Sequence, residues 1–274
     1  MGPANDNRRP FLSGIILAAG ASTRMGRAKQ LLPLENRPLL QHVVDAAAAS
    51  CLDEIILVLG HRAEEIRAAI HRPTRVRVEV NADYLEGQST SLRTGLRAAS
   101  PRAEAAAVLL GDQPRVTAQL IDRVAAAFAN SAACVVRPVY SETVDFLANS
   151  ASTSSARAVG DSFHSKSKHS SAHPELVEGS ASRLSIPSSG IGGRGVPGHP
   201  VFLARRIWPD IEELRGDQGA RALLDAHPEW LLEVAVAGEE APHDVDTWED
   251  YRYSVGGEPP STMQATADNL RGRT

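Results

Sequence analysis

The chain has 274 residues, 42% of them hydrophobic, with 29 Lys and Arg against 33 Asp and Glu and a net charge of −4. That length is ample for a buried α/β core, and the mildly negative balance argues against a nucleic-acid surface as the main function. Two cysteines among apolar neighbours, Cys51 and Cys134, make neither a disulfide framework nor a zinc site. No apolar run approaches a membrane span, and Met1 to Pro10 has no apolar segment behind Arg8 and Arg9. The expectation is a soluble cytoplasmic protein with buried thiols.

Residues 1–12 read as a loose tail. Gly14 to Leu17 is a short apolar run suited to a buried parallel strand. Pro38 suits the first turn of a helix, and Leu39, Leu40, Val43, Val44 and Ala47 then keep helical spacing toward Cys51. Glu54 to Leu59 is a second buried strand and Ala63 to Ile70 a short helix. Val76, Val78 and Val80 alternate with charged residues, as in a strand nearer a sheet edge. A helix follows over Ser89 to Ala98, a fourth strand over Ala105 to Leu110, and a helix capped by Thr117 runs through Phe128. Ala133 to Val139 is a fifth strand. Strand and helix signals alternate throughout, which predicts a three-layer, doubly wound, mostly parallel α/β sheet with right-handed crossovers.

The pattern breaks at residues 141–193, where Ser, His, Lys and Ala dominate and no apolar period survives. Such a stretch cannot bury enough surface to offset its ordering entropy, so it reads as a disordered surface insertion within one domain spanning 13–253. Order resumes with the glycine-rich approach to a strand at Val201. Arg205 to Leu214 reads as helical, with Pro209 early in the helix or splitting it. Ala220 to Ala226 is another helix and Leu231 to Val236 a last strand. Thr247 caps a terminal helix over Trp248 to Tyr253, and residues 256–274 read as a flexible tail. Trp208, Trp230 and Trp248 read as packing residues, and His61 as a cap or surface residue.

The chemistry concentrates where strands end, because ligands in open α/β sheets sit outside the C-terminal strand ends. After the first strand comes Ala18-Ala19-Gly20-Ala21-Ser22-Thr23-Arg24-Met25-Gly26-Arg27-Ala28-Lys29. Small residues there let backbone N–H groups approach a ligand, and Arg24 and Lys29 add positive charge. The loop is a natural polyphosphate cradle, or an ordinary strand-to-helix turn with a basic rim. It is neither a Walker A loop nor the dinucleotide pattern G-x-G-x-x-G. Asp112, in Gly111-Asp112-Gln113-Pro114, serves a metal or caps the next helix. Asp246, in Asp244-Val245-Asp246, supplies a second rim carboxylate. Two carboxylates beside a phosphate cradle are what Mg²⁺ on a nucleoside triphosphate needs.

The opening motif from Leu17 to Gly26, with Lys29, resembles that of MobA-like nucleotidyltransferases. So do four further segments in order. These are Asn81 with Glu86 to Leu92 and Gly95-Leu96; Gly111 to Pro114; Gly198 to Phe202 with Gly216 to Arg221; and Asp244 to Thr247. Within the family the chain is most similar to the molybdenum cofactor cytidylyltransferase branch. The resemblance covers about residues 13–140 and 194–253. It implies a Rossmann-like nucleotidyltransferase fold and transfer of CMP from CTP to a molybdopterin acceptor, with release of pyrophosphate. It implies that Leu17, Ala18, Ala19 and Gly20 hold the nucleotide through their backbone, while Arg24 and Lys29 neutralise the phosphates. Gly87 and Ser91 would face base and ribose, and Asp112 and Asp246 would ligate Mg²⁺. On the acceptor side it implies His199, Pro200, Asp217 and Arg221, although Asp217 also reads as a helix cap. A molybdenum hydroxylase would receive the product; neither nucleic acid nor membrane is a partner. Gly87-Gln88-Ser89 departs from the Gly-Met-Gly of many relatives, which leaves base selectivity less secure; an alternative of the same fold uses GTP or transfers to another phosphorylated acceptor. A reading of another class is a non-catalytic chaperone for a pterin cofactor. Retention of Lys29, Asp112 and Asp246 disfavours it.

Overall fold

The computed structural model describes residues 8–22, 24–141, 195–216, 221–237, 239 and 241–256. In order, its first half contains β1 (Leu12–Ala18), β2 (Pro33–Leu34), β3 (Arg37–Pro38), α1 (Leu39–Ala49), β4 (Glu54–Leu59), α2 (Ala63–Ala69), β5 (Val76–Val80), α3 (Gln88–Ala98), β6 (Ala105–Leu110), α4 (Ala118–Ala129) and β7 (Val135–Ser141). The second half adds β8 (Val196–Pro197), β9 (Val201–Ala204), α5 (Trp208–Glu212), α6 (Arg221–Ala226), β10 (Leu231–Ala237) and α7 (Trp248–Val255). Apart from Ser141, which ends β7, the Ser-rich stretch lies outside the described residues.

The main sheet runs β10-β7-β9-β6-β1-β4-β5, with β8 paired to the end of β7. β1 is parallel to both β4 and β6, β4 to β5, and β10 to β7. β9 enters between β6 and β7 and is antiparallel to both. The alternation of strand and helix signals carries no trace of this reversal, because a buried apolar run reads the same in either direction. The sheet is therefore mostly parallel rather than wholly so. β5, with its charged alternate residues, is an edge strand as its pattern predicts.

Successive residues of β1 feed opposite faces of the sheet, as strand geometry requires. Ile16 packs with Leu40, Val43, Val44, Ile121 and Val124 on the α1 and α4 side. Ile15 packs with Leu92, Leu96, Trp208 and Ile211 on the α3 and α5 side. This two-sided burial is why β1 is apolar from Ile15 to Ala18 rather than alternating. At Gly95 a Cβ would overlap the Ile15 side chain, so the missing side chain lets α3 lie close over the central strand.

Local departures from the sequence reading have identifiable causes. Pro38 does not open α1; it sits in β3 with extended backbone, and the helix starts one residue later. The β2–β3 hairpin turns on Glu35 and Asn36, both at positive φ (49° and 64°). That backbone belongs to a type I′ turn, but Glu-Asn lacks the glycine that advertises one. Pro209 lies in the first turn of α5, after a 3-10 turn at Arg205–Ile207, so the expected helix is split. Cys134 is buried, whereas Cys51 is only half-buried. Trp208 is buried and donates through Nε1 to the Leu203 carbonyl at 3.1 Å. Among the described residues no helix is long and apolar enough to cross a membrane.

Candidate active site

The loop after β1 is held from beneath by one side chain. Gln30, 2% exposed, donates through Nε2 to the carbonyls of Ala18 (3.1 Å) and Gly20 (3.2 Å). Ser22 adopts a left-handed backbone (φ 52°) and its Oγ accepts from the Lys29 N–H at 3.3 Å. A lone Gln following a Lys carries no motif signal, and the sequence reading missed it.

A small core joins this loop to the far end of the chain. Met25 packs with Leu32, Leu39, Val245 and Tyr251, all nearly inaccessible. The Tyr251 hydroxyl donates to the Pro33 carbonyl, and the Val245 N–H donates to the Asp112 carbonyl at 3.1 Å. Thr247 caps α7 in a capping box with Asp250, whose Oδ2 also accepts from the Asp246 N–H at 3.1 Å. Burial of Val245 thus presents its neighbours Asp244 and Asp246 beside Asp112.

Lys29 closes the cluster. Its Nζ donates to Asp112 Oδ2 and Asp246 Oδ1, each at 2.6 Å, and its side chain is only 12% exposed. Burial acts to lower the Lys29 pKa, but the two carboxylates outweigh it and hold the ammonium above its ordinary value. Burial pushes the Asp112 carboxyl up; Lys29 opposes this and Asp244 reinforces it. Arg24 stands apart. It is three-quarters exposed, reaches Asp246 Oδ2 only at 3.8 Å, and does not line the cavity described next.

A cavity of about 460 Å³ lies over the C-terminal ends of β1 and β6. Leu17, Ala18, Ala19, Gly20, Lys29, Gly87, Ser91, Asp112 and Asp246 all border it, so most of the sequence-predicted nucleotide and metal residues share one space. Gly87 has φ 109°, a conformation that favours glycine, and it starts α3. Asn81, 4% exposed, holds this segment in place: its Nδ2 donates to Thr90 Oγ1 (2.8 Å) and Ser91 Oγ (3.0 Å). His61 N–H donates to the Ala19 carbonyl at 3.2 Å, and its ring lies 6.1 Å from that of Tyr84, beside the cavity rather than in it.

A second cavity, about 710 Å³, adjoins the first; Leu17, Gln88, Leu110 and Asp244 border both. Its walls are largely apolar, including Leu92, Val108, Val201, Leu203 and Leu224, and His199 and Arg137 also face it. Burial lowers the His199 pKa to about 4; Asp112 pulls the other way and Arg137 adds to the lowering, so the imidazole is neutral near pH 7. Pro200, joined to His199 by a cis peptide, is buried and does not border the cavity. Asp217 lies outside the described residues, as does the side chain of Arg221 at the start of α6. Asp244 was part of a sequence motif without a role of its own. The structure puts it at the junction, with Oδ1 accepting from Gln113 Nε2 at 2.7 Å.

The donor set suits a hard divalent cation. Asp112 and Asp246 offer carboxylate oxygens that already converge on one positive centre, the Lys29 ammonium. Among the described residues no three His, Cys, Asp or Glu side chains form a self-sufficient metal site. A hard divalent cation held there would complete its shell with phosphate and water.

Comparison with known proteins agrees with this architecture. A family model described as MobA-like NTP transferase domain matches residues 14–230. The structure of Rv0371c from Mycobacterium tuberculosis H37Rv is 26% identical, with 91% of this chain and 100% of that one covered and a TM-score of 0.64. A complex of the same protein with manganese gives 25% identity and a TM-score of 0.61 over the same shares. The bifunctional protein GlmU of Burkholderia orbicola is 40% identical over 111 residues, which is 40% of this chain and 24% of GlmU. The chain thus spans about a quarter of the length of the curated relatives it matches. A CMP:2-keto-3-deoxy-manno-octonic acid synthetase complexed with CTP shares the fold alone, at 13% identity and a TM-score of 0.59, with 94% of this chain and 99% of that one covered.

Proposed function

The chain belongs to the MobA-like NTP transferase family, and from that premise we propose that it transfers CMP from CTP to the molybdopterin form of the molybdenum cofactor, releasing pyrophosphate. The observation that carries the reading is the convergence of Lys29, Asp112 and Asp246 at the edge of a cavity bordered by the glycine-containing loop after β1. CTP and the molybdopterin acceptor follow from the resemblance of the five motifs to the cytidylyltransferase branch. The transferase domain is 13–253, with the Ser-rich stretch as an insertion, and its two free thiols suit a reducing cytoplasm. A molybdenum hydroxylase is the receiving enzyme this reading implies.

In the reaction, an oxygen of the acceptor's terminal phosphate attacks the α-phosphorus of CTP. The bond from that phosphorus to the β-phosphate oxygen breaks, and pyrophosphate leaves with the electron pair. No protein nucleophile is needed, so the residues act by positioning and by charge. Backbone from Leu17 to Gly20 cradles the nucleotide, fixed by Gln30. Gly87 and Ser91 border base and ribose, with Asn81 fixing Ser91. Lys29, with Arg24 at the rim, supplies positive charge for the phosphates. Asp112 and Asp246 would hold Mg²⁺, which when bound supplies Lewis acidity and further charge neutralisation. His199 borders the acceptor cavity as a neutral group, and Arg221 and Asp217 belong to the acceptor side by motif.

The test is pyrophosphate release with CTP, GTP and ATP in turn, with and without molybdopterin. The reading expects release with CTP that depends on the acceptor. A clear preference for GTP would move the enzyme to another branch. Pterin binding without Mg²⁺-dependent release from any nucleotide would favour the chaperone.

A further inference from the structure

The acceptor cavity holds one feature that no motif assigns. Arg137, in the middle of β7, is its only fixed cation among the described lining residues. The residues before it, Val135 and Val136, are buried, and the cavity around it is walled by leucine and valine. Its register partner on β10 is Glu233. Arg137 donates to that carboxylate through Nε (3.1 Å) and Nη2 (2.6 Å), both onto the same oxygen, Oε1. This is not the two-oxygen fork that a guanidinium and a carboxylate can form. Nη1 has no partner among the described residues. Arg137, 22% exposed, borders the cavity, whereas Glu233, 46% exposed, does not. The same charge helps to depress the His199 pKa, which puts both groups in one electrostatic field.

A cross-strand ion pair of this exposure contributes little to stability. A long cation over an apolar floor gains most if a ligand completes it. We infer that Arg137 is an acceptor-binding residue whose free Nη1 holds an anionic group of the acceptor, remote from the phosphate that attacks. The remoteness follows from position. The attacking phosphate must reach the nucleotide in the first cavity, which Arg137 does not border. Glu233 holds Nε and Nη2 in place and leaves Nη1 directed to the ligand. The acceptor is then a molecule that carries a second anionic group apart from the attacking phosphate, the two joined by an apolar or aromatic body. This inference rests on reading the second cavity as the acceptor's.

The experiment uses the full chain saturated with Mg²⁺ and CTP. Molybdopterin is titrated against the wild type, Arg137→Met, Arg137→Lys and Glu233→Gln. Loss of one charged hydrogen bond should raise the acceptor KM of Arg137→Met roughly ten- to hundred-fold. The kcat and the CTP Kd, measured by calorimetry, should stay near wild type. Arg137→Lys should recover part of the loss, and Glu233→Gln should keep most of the acceptor affinity. An unchanged acceptor KM in Arg137→Met overturns the inference, and so does a joint loss of CTP and acceptor binding. If the wild type ignores molybdopterin, the proposed acceptor is wrong, and the Arg137 site is read with inorganic phosphate instead. Phosphate should then shift the His199 imidazole NMR signals in the wild type and not in Arg137→Met. No shift in the wild type overturns the site.

Discussion

The two cavities share a border and differ in how their polar groups are held. The polar groups of the cavity proposed for the nucleotide are tied down by specific contacts: Gln30 under the loop, Asn81 under the start of α3, and Lys29 between two carboxylates. The cavity proposed for the acceptor is larger and bordered mainly by apolar residues, and its polar side chains are Gln88, Arg137, His199, Asp225 and Asp244. Triphosphate chemistry is the same for every member of such a family, so its site can be rigid and preorganised. An acceptor site must read one molecule's shape, which apolar walls with a few placed charges do well.

If that contrast holds, damage to the charged cluster of Lys29, Asp112 and Asp246 should abolish chemistry, while damage to the acceptor side or to the supports of the loop should change affinity, stability or pH response. Asp112→Ala should have the largest effect, cutting pyrophosphate release on the order of 10³-fold or more. Circular dichroism should show an intact fold, since Asp246 still pairs Lys29. Lys29→Met should cost roughly 10²-fold in turnover. It should also tighten Mn²⁺ binding in the absence of nucleotide, measured by calorimetry, because the two carboxylates lose their resident ammonium. Equal Mn²⁺ affinity in the two proteins would show that Lys29 does not compete for those oxygens.

His199 tests the acceptor side. Its folded-state pKa of about 4 lies below the ordinary 6.5, so between those values the unfolded chain takes up a proton that the native protein does not. Native stability should therefore fall as pH drops through this window, by about 2 kcal/mol between pH 6.5 and 5. Urea melts of His199→Gln should lack that component; an identical acid slope would place the ring in contact with water. Gln30→Ala should have the smallest effect. It removes two hydrogen bonds to loop carbonyls, costing about 1–2 kcal/mol of stability and a few-fold in CTP affinity.

The same contrast governs what the sequence disclosed. The nucleotide side is written in contiguous runs: an apolar strand that stops at Ala18-Ala19-Gly20, an Asp directly after Leu110, and a capped helix after Asp246. Each run advertises both its element and its chemistry. Even there the pairing of Lys29 was not legible. The motifs assign Lys29 to phosphate and the two aspartates to metal, and Val245 burial with its bond to Asp112 brings all three together. On the acceptor side the run from Gly198 to Phe202 signals binding, but the rest of the cavity wall comes from single residues on β7, β10 and α6 that signal nothing by themselves. Arg137 reads as an unremarked charge in a strand. The reversal of β9 is set by its neighbours β6 and β7, which its own four residues do not encode. Gln30 was missed for a related reason: its role depends on two carbonyls that only the folded loop brings within reach.

The most direct test of the account follows the label from CTP carrying ³²P at the α-position, with Mg²⁺ and molybdopterin. The account predicts that the label moves to the acceptor in step with pyrophosphate release, and that both stop in Asp112→Ala. Label that remains in CTP, or that moves equally well in Asp112→Ala, would contradict it.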